Sequence, residues 1–427
     1  MHKLRHTLFI LFFSATVLVK GQAYELLHHK VDSVVSSAIQ SEAFPGCVIY
    51  AAKGDSVFFL SSYGHHTYDS LRRVAVNDIY DLASVTKVAG GTLAMMKLYE
   101  EGFYNLDDPI GAFVDGLRNN IGELTFREIL SHQAGLYPWI PYYDESKKKN
   151  GKYRSKSISD INGSDYNFPL SDSLFLHKDF YLKIKKMIRK SEVSKQKSYR
   201  YSGLFFYLIP ELVKSLTDTS YQDYLDYHFY NPIRAETLTF NPLDKFGKNR
   251  IAPTEIDTFF RMKSIHGRVH DEGAIMMKGI SGNAGLFSNA EDLGKLFKVF
   301  LQDGRYDSAH LLNPSTIQLF TSSQYPNNGN RRGLGFDKPL LKYDSIRSSV
   351  AKSASFKSYG HTGYTGTIAW ADPESDLIFI FLTNRVYPSR TNRALYDLNV
   401  RPSIHQLIYN YLDGQYSQKT YPVENTK

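Results

Sequence analysis

The chain has 427 residues, 42% hydrophobic and 22% charged, a globular composition that excludes disordered and fibrous classes. Its single cysteine, Cys47, excludes an intramolecular disulfide framework and any cysteine-cluster metal site. The net charge of +8 is local: residues 141–200 carry 15 basic and 7 acidic side chains, which accounts for the whole excess. That stretch has no zinc-finger, RNP or basic-zipper pattern, so it reads as a solvated surface insertion and not as a nucleic-acid site.

The N-terminus opens with the basic segment Met1 to His6 and continues with the apolar run Leu8 to Val19. Small residues follow at Gly21 and Ala23. This order is that of a secretory signal peptide, expected over residues 1–22, and the run is too short to span a bilayer. No cysteine follows it to carry a lipid. An exported protein, periplasmic or secreted and without a stable membrane anchor, is the expectation, with the domain proper over 23–427.

Residues 25–40 have helical apolar spacing. Gly46–Ala52 and Ser56–Tyr63 read as strands joined by the turn Lys53-Gly54-Asp55. Residues 78–320 are dominated by helical patterns, including Thr86–Glu101 and Glu291–Gln302, and the polar stretch 144–165 is expected as a long loop. Gly366–Ala371 and Leu377–Thr383 form a second strand pair, and 402–412 a closing helix. Strands at both ends and helices between them imply an α+β fold. In it, an antiparallel sheet built from N- and C-terminal strands is flanked by helices and carries an inserted, mainly helical domain.

Four places carry possible chemistry. Ser84 and Lys87, three apart, share one face of a helix. A lysine amine beside a serine hydroxyl can take its proton. Four S-x-x-K matches occur, at Ser84, Ser146, Ser194 and Ser349, and only Ser84 leads into a long apolar helix. Tyr201, in Tyr199-Arg200-Tyr201-Ser202-Gly203, precedes an apolar helix and can point a phenol into a cleft. His361-Thr362-Gly363-Tyr364 precedes a strand. There the Tyr364 and Ser84 N–H groups could form an oxyanion site, Gly363 could admit a substrate backbone, and His361 could face a substrate carboxylate. His266 and His270, spaced i and i+4 with Asp271 and Glu272 beside them, could hold a metal, but no third ligand group stands out.

Taken together and in this order, the Ser84–Lys87 helix, the Tyr201 loop and the Thr362-Gly363 strand resemble the serine β-lactamase and penicillin-binding-protein family. The class C β-lactamase branch, with its esterases and D-amino-acid peptidases, is the most similar. The resemblance runs from about Ala43 to Leu412 and includes Ile129 to Leu136 and Gly282 to Ser288, which look like the loops framing the family's cleft. It implies a β-lactamase/transpeptidase-like fold and Ser84 as the nucleophile of an acyl-enzyme. Lys87 would hold or exchange the serine proton, and Tyr201 would be partner base and then acid toward the leaving group. Ser84, His361, Thr362, Gly363 and Tyr364 would bind the oxyanion and substrate. No cofactor or metal is implied.

Two departures stand out. Gly203 replaces a polar residue that normally helps hold the substrate amide, and His361 stands where Lys is usual. The basic region 140–200 lies between the first two motifs and is expected to border the cleft, favouring an anionic or bulky substrate. The leading expectation is a serine hydrolase acting on an amide or ester, with a cell-wall-derived D-amino-acid peptide or related small substrate as partner. The alternatives are a non-catalytic or single-turnover peptidoglycan or β-lactam binder using the same cleft, and a metallohydrolase built on His266 and His270.

Overall fold

The structure, a computed structural model, describes residues 2–118 and 120–416, with side chains from residue 21 onward. Its centre is an antiparallel sheet of β1 (Gly46–Lys53), β2 (Ser56–Gly64), β3 (Tyr359–Thr362), β4 (Ile368–Asp372) and β5 (Leu377–Thr383), in the order β3-β4-β5-β1-β2. N- and C-terminal strands meet at the β1–β5 pairing, where Tyr50 faces Ile380 and Val48 faces Leu382.

Strand side chains alternate between two faces, and this sheet buries both. Cys47, Ile49 and Ala51 of β1 pack with Leu377, Phe379 and Phe381 of β5 on one face. Val48, Tyr50 and Ala52 pack with Ile378, Ile380 and Leu382 on the other. This explains why β5 reads as an unbroken apolar run.

The helices follow the same logic: α1 (His2–Gln40), α2 (Thr92–Glu100), α3 (Phe180–Arg189), α4 (Ile209–Thr217), α5 (Ala290–Leu301) and α6 (Val400–Leu412). α1 and α6 cover the first face, α1 through Leu27, Val31, Val35 and Ala38 at helical spacing, and α6 through Ile404 and Ile408. α5 covers the second face. A Cβ on Gly294 would stand 2.6 Å from the Tyr50 ring, so glycine there sets how closely α5 approaches the sheet. α2 and α4 extend the same core away from the sheet.

Two local expectations are revised, and a third falls largely outside the described side chains. The helix expected from Thr86 begins as a 3-10 turn, Ala83–Val85, passes through a π-turn, Lys87–Gly91, and only then becomes α2. The expected leader over 1–22 falls mostly on residues without described side chains, and its backbone continues into α1. No helix among the described residues is long and apolar enough to cross a membrane. Finally, 144–165 is not one loop. A 3-10 turn spans Tyr142–Ser146, and Ile158–Ser159, Phe168–Ser171 and Leu174–Leu176 form a small sheet. Tyr142, Ile158, Leu170, Leu176, Phe180, Ile184 and Ile188 join the main core, so the basic insertion is anchored and not merely solvated.

His405 of α6 is stacked on Phe379 of β5, ring centroids 4.3 Å apart, and its Nε2 has no hydrogen-bond partner. Burial pushes this imidazole down to about 3. Between pH 6.5 and 3 the unfolded chain therefore takes up a proton that the folded chain does not, so stability falls as pH falls. The slope from this group approaches about 1.4 kcal/mol per pH unit. His405→Leu should flatten it: urea midpoints at pH 7 and pH 4.5 should diverge less for the variant than for wild type. Equal divergence would overturn this assignment.

Candidate active site

Ser84 lies where the sheet edge meets the helical half of the molecule. The short strand Tyr80–Asp81 runs into the Ala83–Val85 turn, and Ala83 is left-handed with φ of +46°, a conformation that non-glycine residues seldom adopt. The Asp81 carboxylate holds that turn, accepting the Ala83 N–H at 2.8 Å and the His270 N–H at 2.6 Å. Burial raises this carboxyl, opposed by the two N–H donors.

Lys87 follows on the same face. Its Nζ donates to Ser84 Oγ at 3.1 Å and to the Asn283 carbonyl at 3.1 Å. Lys87 is buried, and no carboxylate among the described residues pairs with it. The helix can sit this deep because Gly91 and Gly282 have no side chain: a Cβ on Gly91 would stand 2.6 Å from the Gly282 carbonyl. Tyr201 Oη donates to Ser84 Oγ at 3.2 Å. The tyrosine ring lies between two cations, 5.2 Å from Lys87 Nζ and 5.2 Å from the Arg332 guanidinium.

The Tyr201 loop is stitched to the segment around His132. Arg200 N–H donates to the His132 carbonyl at 2.9 Å, and Gly203 N–H to the Pro138 carbonyl at 3.1 Å. Ser202 N–H donates to His132 Nδ1 at 3.2 Å, and Ser202 Oγ to the Tyr137 carbonyl at 2.6 Å. His132 is buried and held neutral, by burial first and then by the nearby Arg332 and Lys87 charges.

From the other side comes the end of β3. Thr365 Oγ1 donates to the Asp81 carbonyl at 2.8 Å and Thr367 Oγ1 to the Leu82 carbonyl at 3.1 Å. A Cβ on Gly363 would meet Thr367 Oγ1 at 2.1 Å and the Leu82 carbonyl at 2.5 Å. Gly363 thus serves the contact between this turn and the chain before Ser84. Arg385 donates twice to the Tyr364 carbonyl, at 3.0 and 2.7 Å, and His270 stacks on the Tyr364 ring at 5.6 Å. Among the described residues neither the Ser84 N–H nor the Tyr364 N–H has an acceptor.

His361 is present in the cleft but not as a cation. It is buried, with Nδ1 2.7 Å from the Thr362 carbonyl and Nε2 3.3 Å from Arg332 Nη1. That pairing requires Nδ1 to carry the proton and Nε2 to accept. Burial, with the Arg332 and Lys87 charges, pushes its pKa down to about 3. The cation at this end is Arg332, ion-paired with Asp337 at 3.2 Å. Sequence reasoning missed it, because Arg331-Arg332 sits in a polar stretch with no periodicity.

His266 and His270 do not converge. His266 Nε2 lies 2.7 Å from the Ile251 carbonyl, and His270 Nε2 lies 2.9 Å from Glu255. Burial raises the Glu255 carboxyl, but hydrogen bonds from His270 and Arg390 outweigh it and hold the group at about 2. No cluster of three or more potential ligands occurs among the described residues, which removes the basis for the two-histidine metal site.

The cleft has two lobes, one on each side of Ser84. One, about 380 Å³, is bordered by Arg332, Arg347, Thr362, Tyr364 and Arg401. The other, about 450 Å³, is bordered by Trp139, Tyr143, Phe259, Glu272 and Asn283. Of the basic stretch, only its aromatic end reaches the cleft, and none of its lysines lines either lobe.

A family model described as Beta-lactamase matches residues 31–401. An N-acetylmuramyl-L-alanine amidase of Bacillus subtilis is 29% identical over 382 residues, covering 83% of this chain and 80% of its own. A Salmonella gallinarum protein, provisionally assigned as a D-alanyl-D-alanine carboxypeptidase, is 28% identical over 392 residues, covering 85% of this chain and 84% of its own. Among solved structures, EstCE1, described as a hydrolase with promiscuous acyltransferase activity, matches with a TM-score of 0.63 at 18% identity, over 90% of this chain and 99% of its own. A penicillin-binding-protein homologue from Caulobacter crescentus gives 0.62 at 15% identity, over 90% and 97%. These two structures share the fold.

Gly363 and Gly203 make opposite demands. Gly363→Ala forces the turn and the Leu82 backbone apart, and should cost about 1–3 kcal/mol. A Cβ on Gly203 meets nothing nearer than Asn283 Cβ at 3.9 Å, so Gly203→Asn should shift stability by less than about 0.5 kcal/mol. Urea unfolding of both variants decides it, and a reversed order would refute this account of the turn.

Proposed function

Because this chain belongs to the beta-lactamase family, and is a hydrolase of that family, we propose that it is an exported serine hydrolase. It cleaves an amide or ester by acyl transfer through Ser84. The observation that carries this reading is the placement of Ser84 Oγ between Lys87 Nζ at 3.1 Å and Tyr201 Oη at 3.2 Å.

Ser84 Oγ attacks the substrate carbonyl carbon while its proton passes to the Lys87–Tyr201 pair. The oxygen of the tetrahedral intermediate takes hydrogen bonds from the N–H groups of Ser84 and Tyr364. Tyr201 returns the proton to the departing amine or alcohol, leaving an acyl ester on Ser84. Water then attacks that ester, with the same pair as base, and frees the acid. Lys87 suits the role because no carboxylate pairs with it and it stays beside the serine.

The substrate class follows from the lobes and the relatives. Arg332 and Arg401 stand in one lobe as buried cations, which suits an anionic group on the departing half. His361, neutral and already engaged, lends no charge. Relatives named as amidase and carboxypeptidase favour a cell-wall-derived peptide, including one with D-amino acids, and such a substrate lies outside the cytoplasm, in keeping with the leader-like residues 1–22.

Intact-protein mass after incubation with a fluorophosphonate, and separately with a penicillin, tests this. Wild type should gain one phosphonyl adduct that Ser84→Ala does not, and Tyr201→Phe should label about 10²–10⁴ times more slowly. A penicillin adduct would extend the substrates to β-lactams. The same adduct on Ser84→Ala, or none on wild type, would refute the acyl-transfer reading and leave a cleft that only binds.

A further inference from the structure

The lobe on the Trp139 side of Ser84 has a composition that the acyl-transfer chemistry does not require. Trp139 is 61% exposed, and among the described residues it has no ring, hydrogen-bond or ion partner. An indole left in water without a packing partner is not explained by the core. Nor is it on a loose segment. Its neighbour Pro138 accepts the Gly203 N–H at 3.1 Å, and Tyr137 accepts Ser202 Oγ at 2.6 Å, so Trp139 is held at a set distance from the Tyr201 loop. Phe259 lines the same lobe, backed by Tyr143 at 5.4 Å and by Arg390, whose guanidinium lies 4.4 Å from its ring.

The polar lining is equally specific. Glu272 pairs with Arg390 at 2.8 Å, Asp271 accepts the Tyr207 hydroxyl at 2.8 Å, and Asn283 accepts Ser281 Oγ at 2.6 Å. Glu272 and Arg390 answer one another and Asp271 is engaged by a hydroxyl, so away from Lys87 beside Ser84 the lobe offers oriented donors and acceptors. Gly203 adds room, since no atom stands within 3.9 Å of where its Cβ would be.

We propose that this lobe binds a carbohydrate ring carried on the acyl half of the substrate, the apolar face of the ring on Trp139 and its hydroxyl or acetamido groups on Asn283, Glu272 and Arg390. This deepens the reading above and rests on it, since the acyl half is defined by attack from Ser84. An amphipathic ring matches an aromatic wall bordered by fixed polar groups. A purely aromatic acyl group would strip water from Asn283 and Glu272 and give nothing back. An ammonium group would find Arg390 already in the place a cation would take. The inference also separates two bonds in a cell-wall fragment: it favours cleavage next to the sugar over cleavage at the far end of the peptide.

Binding can be read without turnover, in Ser84→Ala. Trp139 is the exposed indole and the other tryptophan, Trp370, is 2% exposed, so emission reports on this lobe. Titration with N-acetylmuramoyl-L-alanine should give a saturable emission change and a heat of binding in calorimetry. N-acetyl-L-alanine, which lacks the sugar, should bind at least tenfold more weakly. Adding Trp139→Ala should weaken the sugar ligand at least tenfold by calorimetry, and Trp139→Tyr should restore most of it, with urea midpoints unchanged in both. No saturable binding of the sugar ligand, equal binding of the two ligands, or no effect of Trp139→Ala would overturn the proposal. Failure of fluorophosphonate labelling in wild type would instead strike the acyl-transfer reading, because binding to Ser84→Ala does not depend on it.

Discussion

Everything at the site depends on one contact: the end of β3 clamped to the backbone that precedes Ser84. Two threonine hydroxyls, on Thr365 and Thr367, donate to the carbonyls of Asp81 and Leu82. Hydrogen bonds of this kind contribute about 1 kcal/mol each, so the contact also needs the close approach that Gly363 permits. The clamp joins residues almost 300 apart in the chain, and Tyr364 and Ser84 border the same cavity. It explains why a left-handed Ala83 persists. The turn is held from one side by the Asp81 carboxylate and from the other by the threonines, and together they offset its conformational cost.

The electrostatics follow from burial. Lys87 and Arg332 bring positive charge to the two sides of the Tyr201 ring, and the imidazoles between them, His132 and His361, are kept neutral by desolvation and by those same cations. A protonated His361 would face Arg332 at 3.3 Å. At an effective dielectric of 20 that repulsion is about 5 kcal/mol, larger than any single hydrogen bond here. The neutral imidazole instead accepts from Arg332 and holds it in place. Histidine at this position therefore positions a cation and is not the cation itself.

The sheet was legible because its strands read as short apolar runs bounded by turn residues, as was the order of strands at both ends. Ser84, Lys87 and Tyr201 were legible because a Ser-x-x-Lys at the head of an apolar helix and a tyrosine on a loop before another are distinctive in type and context, and the structure brings the three together. What stayed hidden has physical causes. Arg332 acts through contacts with His361 and Asp337 that leave no periodic trace. Its neighbour Arg331 carries the same charge, so the sequence offered no way to choose between them. The small sheet over 158–176 uses strands of two to four residues, too short to show a period. His266 and His270 have metal-like spacing only along the chain. In space the Glu255–Arg390 pair claims one and a backbone carbonyl the other. The π-turn at Lys87–Gly91 arises from tertiary contact at Gly91, which no local propensity encodes.

The same hydrogen bonds that place Tyr201 also place Trp139. Residues 200–203 and 132–138 are joined by four hydrogen bonds, from Arg200, Ser202 and Gly203, so the backbone that carries the phenol is tied to the backbone beside the indole. A substrate group seated on Trp139, as proposed above, would therefore be positioned by the element tied to the Tyr201 loop. This is how binding energy far from the scissile bond can be used to orient the reacting carbonyl. It also accounts for glycine at position 203. A polar side chain there would hold a substrate amide directly, but it would occupy the opening between Tyr201 and the aromatic lobe. In this chain the opening is kept, which leaves the proposed sugar lobe to orient the substrate.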